Sequence, residues 1–139
     1  MNHLEIIKHF KNDRFADSIG ATIESIGPDE VVCSLLIKGD HLNAAGKVQG
    51  GAIFTLADFA FAVACNYGDL TADQNNVTVS HSSNITFFSP PKGNKLIATT
   101  ACLQKGRRIS VYKMTVTDDL GTNVAQMTGN AYTVSLSKR

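Results

Sequence analysis

The most apolar segment of the chain, QGGAIFTLADFAFAVACN, contains a single charged side chain, that of Asp58. In a helix, its neighbours one turn away would be Phe54, Thr55, Phe61 and Ala62. Desolvation in such mostly apolar surroundings raises the pKa of a carboxyl group and makes it a stronger base. A carboxylate placed in this way can activate a water molecule or attack an acyl carbon itself. The alternative is a structural role, in which Asp58 hydrogen-bonds to a neighbouring loop.

Two glycines, Gly50 and Gly51, stand at the beginning of the same segment. The first backbone N–H groups of a helix have no intrahelical partner, and they favour a developing negative charge. Because glycine lets a ligand approach the backbone closely, this position could bind an oxyanion during acyl transfer. An equally open interpretation is that the two glycines only form a tight corner between a loop and a helix.

The histidines and cysteines do not form a metal-binding pattern. They are widely separated along the chain, at His3, His9, His41, His81, Cys33, Cys65 and Cys102. Three cysteines, an odd number set among apolar neighbours, indicate neither a disulfide framework nor a zinc site. We therefore expect a reducing cytosol and no bound metal, and we expect Cys65 to be a small buried hydrophobic residue rather than a nucleophile.

The composition is typical of one globular domain spanning residues 1–139. Hydrophobic residues make up 43% and charged residues 18% of the chain, and the formal net charge is +1. This balance, without a basic patch, argues against nucleic-acid binding. The N-terminal residues carry charges every few positions, unlike a signal peptide, and the apolar run 52–65 is short for a membrane span. The sequence thus predicts a soluble cytoplasmic protein with no membrane partner.

Two helices are predicted to position these residues. Leu4, Ile7 and Phe10 have helical spacing and predict a short amphipathic helix over residues 2–11. Residues 51–67 contain five alanines and no proline, which predicts a long helix that is apolar on nearly every side. Gly68 is the expected C-terminal cap of this long helix.

Six runs rich in valine, isoleucine and threonine predict β-strands. They cover about residues 18–26, 30–38, 77–88, 95–104, 107–117 and 123–135, with polar loops over 39–51 and 69–76. The short turns between the last three runs predict an antiparallel meander. The simplest arrangement that buries the long helix is an α+β fold, in which a six-stranded antiparallel sheet wraps around it.

Three stretches carry a family resemblance: HLNAAGKVQGGAIFTLADFAFAVACN, NITFFSPPKG and KGRRISVYKMTVTDDLGTNVAQMTGNAY. With these motifs the chain resembles the hotdog-fold acyl-CoA thioesterases, specifically the PaaI-type branch linked to phenylacetate degradation. The family pattern of Asn, then His-Gly-Gly, then Leu-Ala-Asp corresponds to Asn43, Gln49-Gly50-Gly51 and Leu56-Ala57-Asp58. Gln49 departs from the usual His. Its amide can still donate a hydrogen bond, but it cannot titrate.

The resemblance implies an acyl-CoA thioesterase whose site lies between two subunits. Asp58 would be the general base or nucleophile, and the Gly50 N–H would be the oxyanion donor beside the substrate-binding Gly51. Asn43 and Gln49 would orient the water or the thioester, although an Asx turn is the alternative role for Asn43. The loop residues of one subunit would meet Asp58 of the other in a homodimer that joins two sheets, and tetramers are usual in relatives.

Further contacts to the substrate are implied elsewhere in the chain. The strand VTVSHSSNITFF would enter the pocket, with Ser80 or Ser82, which share a face by simple alternation, toward the substrate. Coenzyme A carries phosphates, and Lys105, Arg107 and Arg108 surround a glycine turn whose arginines suit phosphate oxygens. An ordinary charged hairpin is the alternative. Coenzyme A is part of the substrate, and no other cofactor is expected.

The leading hypothesis is hydrolysis of an aryl-acetyl or medium-chain acyl-CoA to the free acid and coenzyme A. Because Gln49 replaces the usual His, a non-catalytic protein that binds or senses acyl-CoA is the alternative. A hotdog dehydratase is disfavoured because that chemistry needs a His paired with an acid near Gly50, and the sequence shows no such His. The sequence leaves the acyl group open, since the phenylalanines and alanines of the long helix suit either an aryl or an alkyl pocket.

Overall fold

The computed structural model describes residues 1–136 and contains the helix and sheet that the sequence predicts. Two short helices, α1 (His3–Phe10) and α2 (Arg14–Ser18), precede the long helix α3 (Gly50–Thr71). A 3₁₀ turn covers Gly39–His41. The strands are β1 (Thr22–Ile26), β2 (Val31–Leu36), β3 (Asn76–Phe87), β4 (Lys95–Lys105), β5 (Ile109–Asp118) and β6 (Asn123–Ser135). They form one sheet in the order β1-β2-β4-β5-β6-β3, and all neighbouring pairs are antiparallel.

The long helix extends further than its sequence predicts. It continues through Gly68 to Thr71 and is capped by Ala72 in the right-handed conformation, so the following loop is short. Tertiary contacts hold this extra turn, because α1 docks on it: His3 Nε2 hydrogen-bonds to Tyr67 Oη at 2.8 Å, and the N-terminal amine donates to Leu70 O at 2.8 Å. These contacts outweigh the weak helix propensity of Gly68.

The start of the sheet also differs from the sequence-based prediction. The first strand begins at Thr22 rather than near residue 18, because Arg14–Ser18 forms α2. Asp13 caps this helix by accepting a hydrogen bond from Ala16 N at 3.1 Å. The chain then turns at Gly20, whose φ of +89° favours glycine. The other elements lie within two residues of their predicted bounds, apart from the α3 end.

The sheet covers one side of α3, which forms the centre of the hydrophobic core. Gly129 on β6 allows α3 to approach the sheet closely, because a Cβ atom there would lie 2.6 Å from a ring carbon of Phe61.

Within residues 1–136, α3 is the one helix with the length and apolar composition of a membrane span. The apolar run 52–65 thus belongs to a 22-residue helix, whose length and composition alone would allow a span. Its packing against the sheet accounts for its composition.

A buried carboxylate joins the two loops at one end of the sheet. Asp118 accepts hydrogen bonds from the backbone N–H groups of Lys92 (2.7 Å), Gly93 (2.9 Å), Leu120 (3.0 Å) and Thr122 (2.8 Å). Burial by itself would raise the pKa of Asp118, but the hydrogen bonds from Gly93, Thr122 and Lys92 outweigh it and hold the pKa well below the usual range.

Replacing Asp118 by asparagine is expected to lower the melting temperature at pH 7 by about 5 °C, because the amide loses charge-assisted hydrogen bonds. The folded-state pKa is depressed, so the stabilisation is complete above the unfolded pKa of about 3.9 and disappears as the pH falls toward the folded-state value. Thermal unfolding of wild type, Asp118→Asn and the exposed-turn control Asp29→Asn at pH 7 and pH 3 measures both effects. Equal melting temperatures at pH 7 would contradict this role.

Candidate active site

The beginning of α3 presents one unpaired backbone donor, the N–H of Gly50. The N–H of Gly51 donates to the side-chain Oε1 of Gln49 at 2.8 Å, and Ala52 N donates to Gln49 O at 2.9 Å. Within residues 1–136, Gly50 N–H makes no hydrogen bond. A Cβ atom at Gly50 would lie 3.1 Å from Cζ of Phe87, so glycine keeps this position open. The geometry therefore leaves this N–H available to a developing negative charge.

Gln49 is the N-cap of α3, and its carboxamide is held by the backbone. Oε1 accepts the Gly51 N–H, which leaves both Nε2 hydrogens of the side chain available to a ligand. Its own N–H donates to His41 O at 2.8 Å, which fixes the loop against the helix. The structure thus favours a hydrogen-bond donor role for Gln49, as the sequence suggested.

Asn43 adopts the Asx turn that was the alternative to a substrate contact. Its Oδ1 accepts hydrogen bonds from Ala45 N (2.9 Å) and Lys47 N (3.1 Å). Its own N–H donates to Lys47 O at 2.7 Å. The Nδ2 group makes no hydrogen bond within residues 1–136 and is the remaining donor. The residue therefore shapes the loop, and only its amide nitrogen is free for a ligand.

Asp58 lies on α3, half-buried and without a hydrogen bond or ion pair to any residue of the described chain. The structural alternative, a bond to a neighbouring loop, is therefore not observed. Burial raises the pKa of Asp58, and the nearby charge of Asp13 raises it further. A solvent-poor carboxylate with an elevated pKa and no partner has the properties of a general base or nucleophile.

Within one protomer, the two reactive groups are far apart. Asp58 follows Gly50 by eight residues on the same helix, which is about 12 Å along its axis. A single thioester carbon cannot contact both groups at that separation. A site that uses both must therefore combine the start of one α3 with the middle of another.

Two cavities flank the beginning of α3. The larger, which we call the α2 cavity, has a volume of about 680 Å³. Its wall is formed by Phe15, Ile19, Asp40, His41, Leu42, Asn43, Ala44, Gln49, Gly51, Ala52, Phe54 and Thr55. The smaller, which we call the Phe87 cavity, has a volume of about 360 Å³. It is lined by Lys47, Val48, Gly50, Ile53, Phe87, Phe88, Ser89 and Pro90.

Sequence reasoning missed Phe15 and Ile19 because α2 is too short to show a helical period. The one local signal was Asp13, a residue type that favours the N-cap position.

The two serines predicted to face the site lie on opposite faces of β3, which corrects that prediction. A β-bulge at His81 interrupts the alternation, so that Ser80 pairs with Ala131 and Ser82 with Asn130. Ser80 therefore shares the helix-side face of the buried Ala131, and its Oγ lies 3.4 Å from that of Ser83. Ser82 accepts a hydrogen bond from Asn130 Nδ2 at 2.7 Å on the other face.

The basic residues of the β4–β5 turn are exposed, as expected for a phosphate site or for an ordinary hairpin. Arg107 and Arg108 line a cavity of about 360 Å³ with Asn76 and Tyr132, whereas Lys105 does not line it. Within residues 1–136 these arginines form no ion pair. Because β3 begins just after α3 ends, this cavity is at the opposite end of α3 from Gly50.

Two of the three cysteines, Cys33 and Cys65, are buried, whereas Cys102 is exposed. Burial raises the pKa of both Cys33 and Cys65 to about 12, so that neither is a thiolate at neutral pH. Among the described residues, no three His, Cys, Asp or Glu side chains are grouped closely enough to hold a metal ion.

Comparison with known proteins identifies the family. Residues 45–125 match the thioesterase superfamily. The chain is 29% identical over 126 residues to the acyl-coenzyme A thioesterase PaaI of Escherichia coli, a match covering 90% of this chain and 86% of that protein. It is 30% identical over 117 residues to acyl-coenzyme A thioesterase 13 of Homo sapiens, with coverages of 82% and 81%.

The fold agrees with this assignment. The solved structure of the E. coli PaaI protein from the phenylacetic acid degradation operon superimposes with a TM-score of 0.81 at 27% identity, covering 92% of this chain and 89% of the other. A thioesterase of Haemophilus influenzae superimposes with a TM-score of 0.87 at 16% identity, covering 100% and 94%, and supports the fold alone. The hotdog fold and the PaaI-type resemblance are thus confirmed, and the chain belongs to the thioesterase superfamily and is a thioester hydrolase.

Proposed function

We propose that the protein hydrolyses aryl-acetyl or medium-chain acyl-CoA thioesters to the free acid and coenzyme A. The observation that carries this proposal is that α3 presents two groups without a hydrogen-bond partner in residues 1–136, the Gly50 N–H and the half-buried carboxylate of Asp58. Thioester hydrolysis needs an oxyanion donor and a base or nucleophile, and these two groups can supply them. The relatives named acyl-coenzyme A thioesterases support the class of substrate.

The complete site would form in a homodimer. Strand β3 pairs only with β6 within residues 1–136, so one edge of this twelve-residue strand is free. Two such edges can pair antiparallel about a two-fold axis. Because β3 runs back along α3, from Thr78 beside Asn66 to Phe87 beside Gly50, that pairing also sets the two α3 helices antiparallel. The start of one helix would then approach Asp58 of its partner.

In the proposed reaction, the thioester carbonyl oxygen accepts a hydrogen bond from Gly50 N–H. Asp58 of the other protomer removes a proton from water, and the oxygen of that water forms a bond to the carbonyl carbon. The tetrahedral intermediate collapses, the C–S bond breaks, and the protonated Asp58 returns its proton to the coenzyme A thiolate. In the alternative course, Asp58 itself attacks the carbon and the C–S bond breaks, which releases the coenzyme A thiolate and leaves an anhydride. Water then hydrolyses the anhydride to the free acid and the Asp58 carboxylate, and the proton released protonates the thiolate.

The other contacts in the proposed complex hold the substrate. Among the described residues, Gln49 Nε2 and Asn43 Nδ2 have no partner near the start of α3, and Ser80 lies on the helix side of β3. Arg107 and Arg108 line a cavity without an ion pair to any residue of 1–136, and they suit the phosphates of coenzyme A. We assign no resident cofactor to the reaction and a cytoplasmic location to the protein.

The midpoint of the acid limb of the pH–rate profile is expected at a pH above the ordinary pKa range of an aspartate. Asp58 must be ionised to act, so the rate falls as the pH drops through its raised pKa. Asp13→Asn removes the nearby charge and should move that limb to lower pH, with little change in the plateau rate. The profile of kcat/KM from pH 4 to pH 8 measures both. An acid limb that Asp13→Asn leaves unchanged would contradict the coupling.

The test of the function is the release of free thiol from a panel of acyl-CoAs: acetyl, hexanoyl, octanoyl, lauroyl and phenylacetyl. We expect turnover of at least one medium-chain or aryl-acetyl substrate, well above that of acetyl-CoA, by a species with the mass of a dimer or tetramer. Binding of the same acyl-CoAs without release of coenzyme A would overturn the proposal and indicate a binding or sensing protein.

A further inference from the structure

The wall of the α2 cavity includes a helix that lies outside the superfamily match. Phe15 and Ile19, from α2 and its C-terminal end, face the start of α3 across a space of about 680 Å³. That volume is in the range of small-molecule binding sites. Gln49, Asn43 and Gly51, the residues around the proposed oxyanion site, line the same space. The cavity therefore adjoins the place where the thioester would react.

The polar side chains of this wall are largely satisfied by the protein itself. His41 is buried, with Nδ1 accepting from Lys38 N at 2.9 Å and Nε2 bonded to Ile19 O at 2.8 Å. Thr55 Oγ1 donates to Gly51 O at 2.7 Å. The side-chain oxygens of Gln49 and Asn43 accept backbone N–H groups. An occupant with many polar groups would find few partners here, so the cavity favours an apolar one.

Phe15 is the most exposed aromatic side chain of this wall, with 68% of its surface accessible. Its helix is held in place without a ligand, because Asp13 caps the helix. The preceding Phe10 also packs edge-to-face on Phe59 of α3, with the two ring centroids 6.2 Å apart. The wall is thus preformed, and an apolar group that enters the cavity would cover the ring of Phe15. Preformed apolar walls of this kind select ligands by length and shape.

We propose that α2 forms the outer wall of the acyl-group site, and that Phe15 determines the length of acyl chain that is accepted. This inference rests on the proposed function. The acyl group is the occupant that the observations favour, because the side-chain amides of this wall leave only Gln49 Nε2 and Asn43 Nδ2 as free donors, too few for the amide groups of the pantetheine arm of coenzyme A. Asp40, exposed at the edge of the same wall, would disfavour an acyl group that ends in a carboxylate.

The test compares acyl chain-length profiles of wild type, Phe15→Ala and Leu120→Ala. Leu120 is a matched control, since 69% of it is accessible and it lies in the β5–β6 turn, away from both cavities. In Phe15→Ala, the ratio of kcat/KM for octanoyl-CoA to that for acetyl-CoA should fall about tenfold, because contacts to the distal methylenes are lost. Leu120→Ala should keep the wild-type ratio. An unchanged ratio in Phe15→Ala would overturn the inference.

Two further measurements separate this inference from its alternatives. Size-exclusion chromatography of Phe15→Ala should give the wild-type mass, and dissociation would show instead that Phe15 belongs to a subunit interface. Octanoyl-CoA and free coenzyme A are also titrated into two proteins, the Asp58→Asn variant and the double variant that combines Asp58→Asn with Phe15→Ala. Absence of hydrolysis by wild type, together with octanoyl-CoA binding that Phe15→Ala still weakens about tenfold, would support the role of Phe15 in acyl binding and reject the proposed function. Normal turnover by Phe15→Ala with an unaltered chain-length profile would support the proposed function and reject the role of Phe15 in the acyl-group site.

Discussion

Replacing Asp58 by asparagine is expected to lower kcat/KM for acyl-CoA hydrolysis by about 10²–10⁴-fold, the range typical of removing a general base. Asparagine keeps the size of the side chain but can neither accept the proton of water nor attack the acyl carbon. The carboxylate of Asp58 has no other partner in the described chain, so no hydrogen-bond network is broken by the change. Thiol release from the best acyl-CoA of the panel measures the effect.

The same substitution should leave the protein at least as stable as wild type. Burial, followed by the charge of Asp13, raises the folded-state pKa of Asp58, so ionisation at neutral pH opposes folding. Removing that charge is expected to leave the melting temperature unchanged or higher at pH 7. Asp69→Asn, which neutralises the other carboxylate of α3, should keep activity within about twofold of wild type. Similar activity losses in both variants, or a lower melting temperature in Asp58→Asn, would contradict the assignment.

Gly50→Pro is expected to lower kcat by about 10²–10³-fold, the effect of losing one oxyanion donor. Proline lacks the N–H group that the structure leaves unpaired, yet it suits the first position of a helix, where that group has no intrahelical partner. The preceding Gln49 has φ −69° and ψ 136°, an extended conformation that tolerates a following proline. The fold should therefore survive the loss of this donor.

Gly50→Ala is the matched control for Gly50→Pro, since it adds a Cβ atom but keeps the N–H. That atom would lie 3.1 Å from Cζ of Phe87, which requires a shift of a few tenths of an ångström in the ring. Single-turnover rates of both variants separate the lost donor from crowding. We expect the alanine variant to retain most of the wild-type rate. Equal losses in the two variants would assign the effect to contact with Phe87 and reject Gly50 as the oxyanion donor.

The sequence by itself determined the long helix, the six strands and the two central groups of the candidate site. Runs rich in valine, isoleucine and threonine predicted the strands, and an alanine-rich apolar segment predicted the central helix, because both patterns reflect local propensity. The position of Asp58 within that segment indicated a desolvated carboxylate, since neighbours one helical turn away are known from sequence alone. The place of Gly50 at the beginning of the predicted helix indicated a backbone N–H group without an intrahelical partner.

Tertiary structure decided what local patterns do not contain. The bulge at His81 placed Ser80 and Ser82 on opposite faces, because one extra residue in a strand reverses every later side chain. The role of Asn43 depended on which backbone N–H groups its loop brought within reach. Helix α2 became a cavity wall only through packing between residues that are distant in sequence, a relation that no local period encodes. The strand order, likewise a tertiary feature, left one edge of β3 free within residues 1–136, and the proposed dimer would form at that edge.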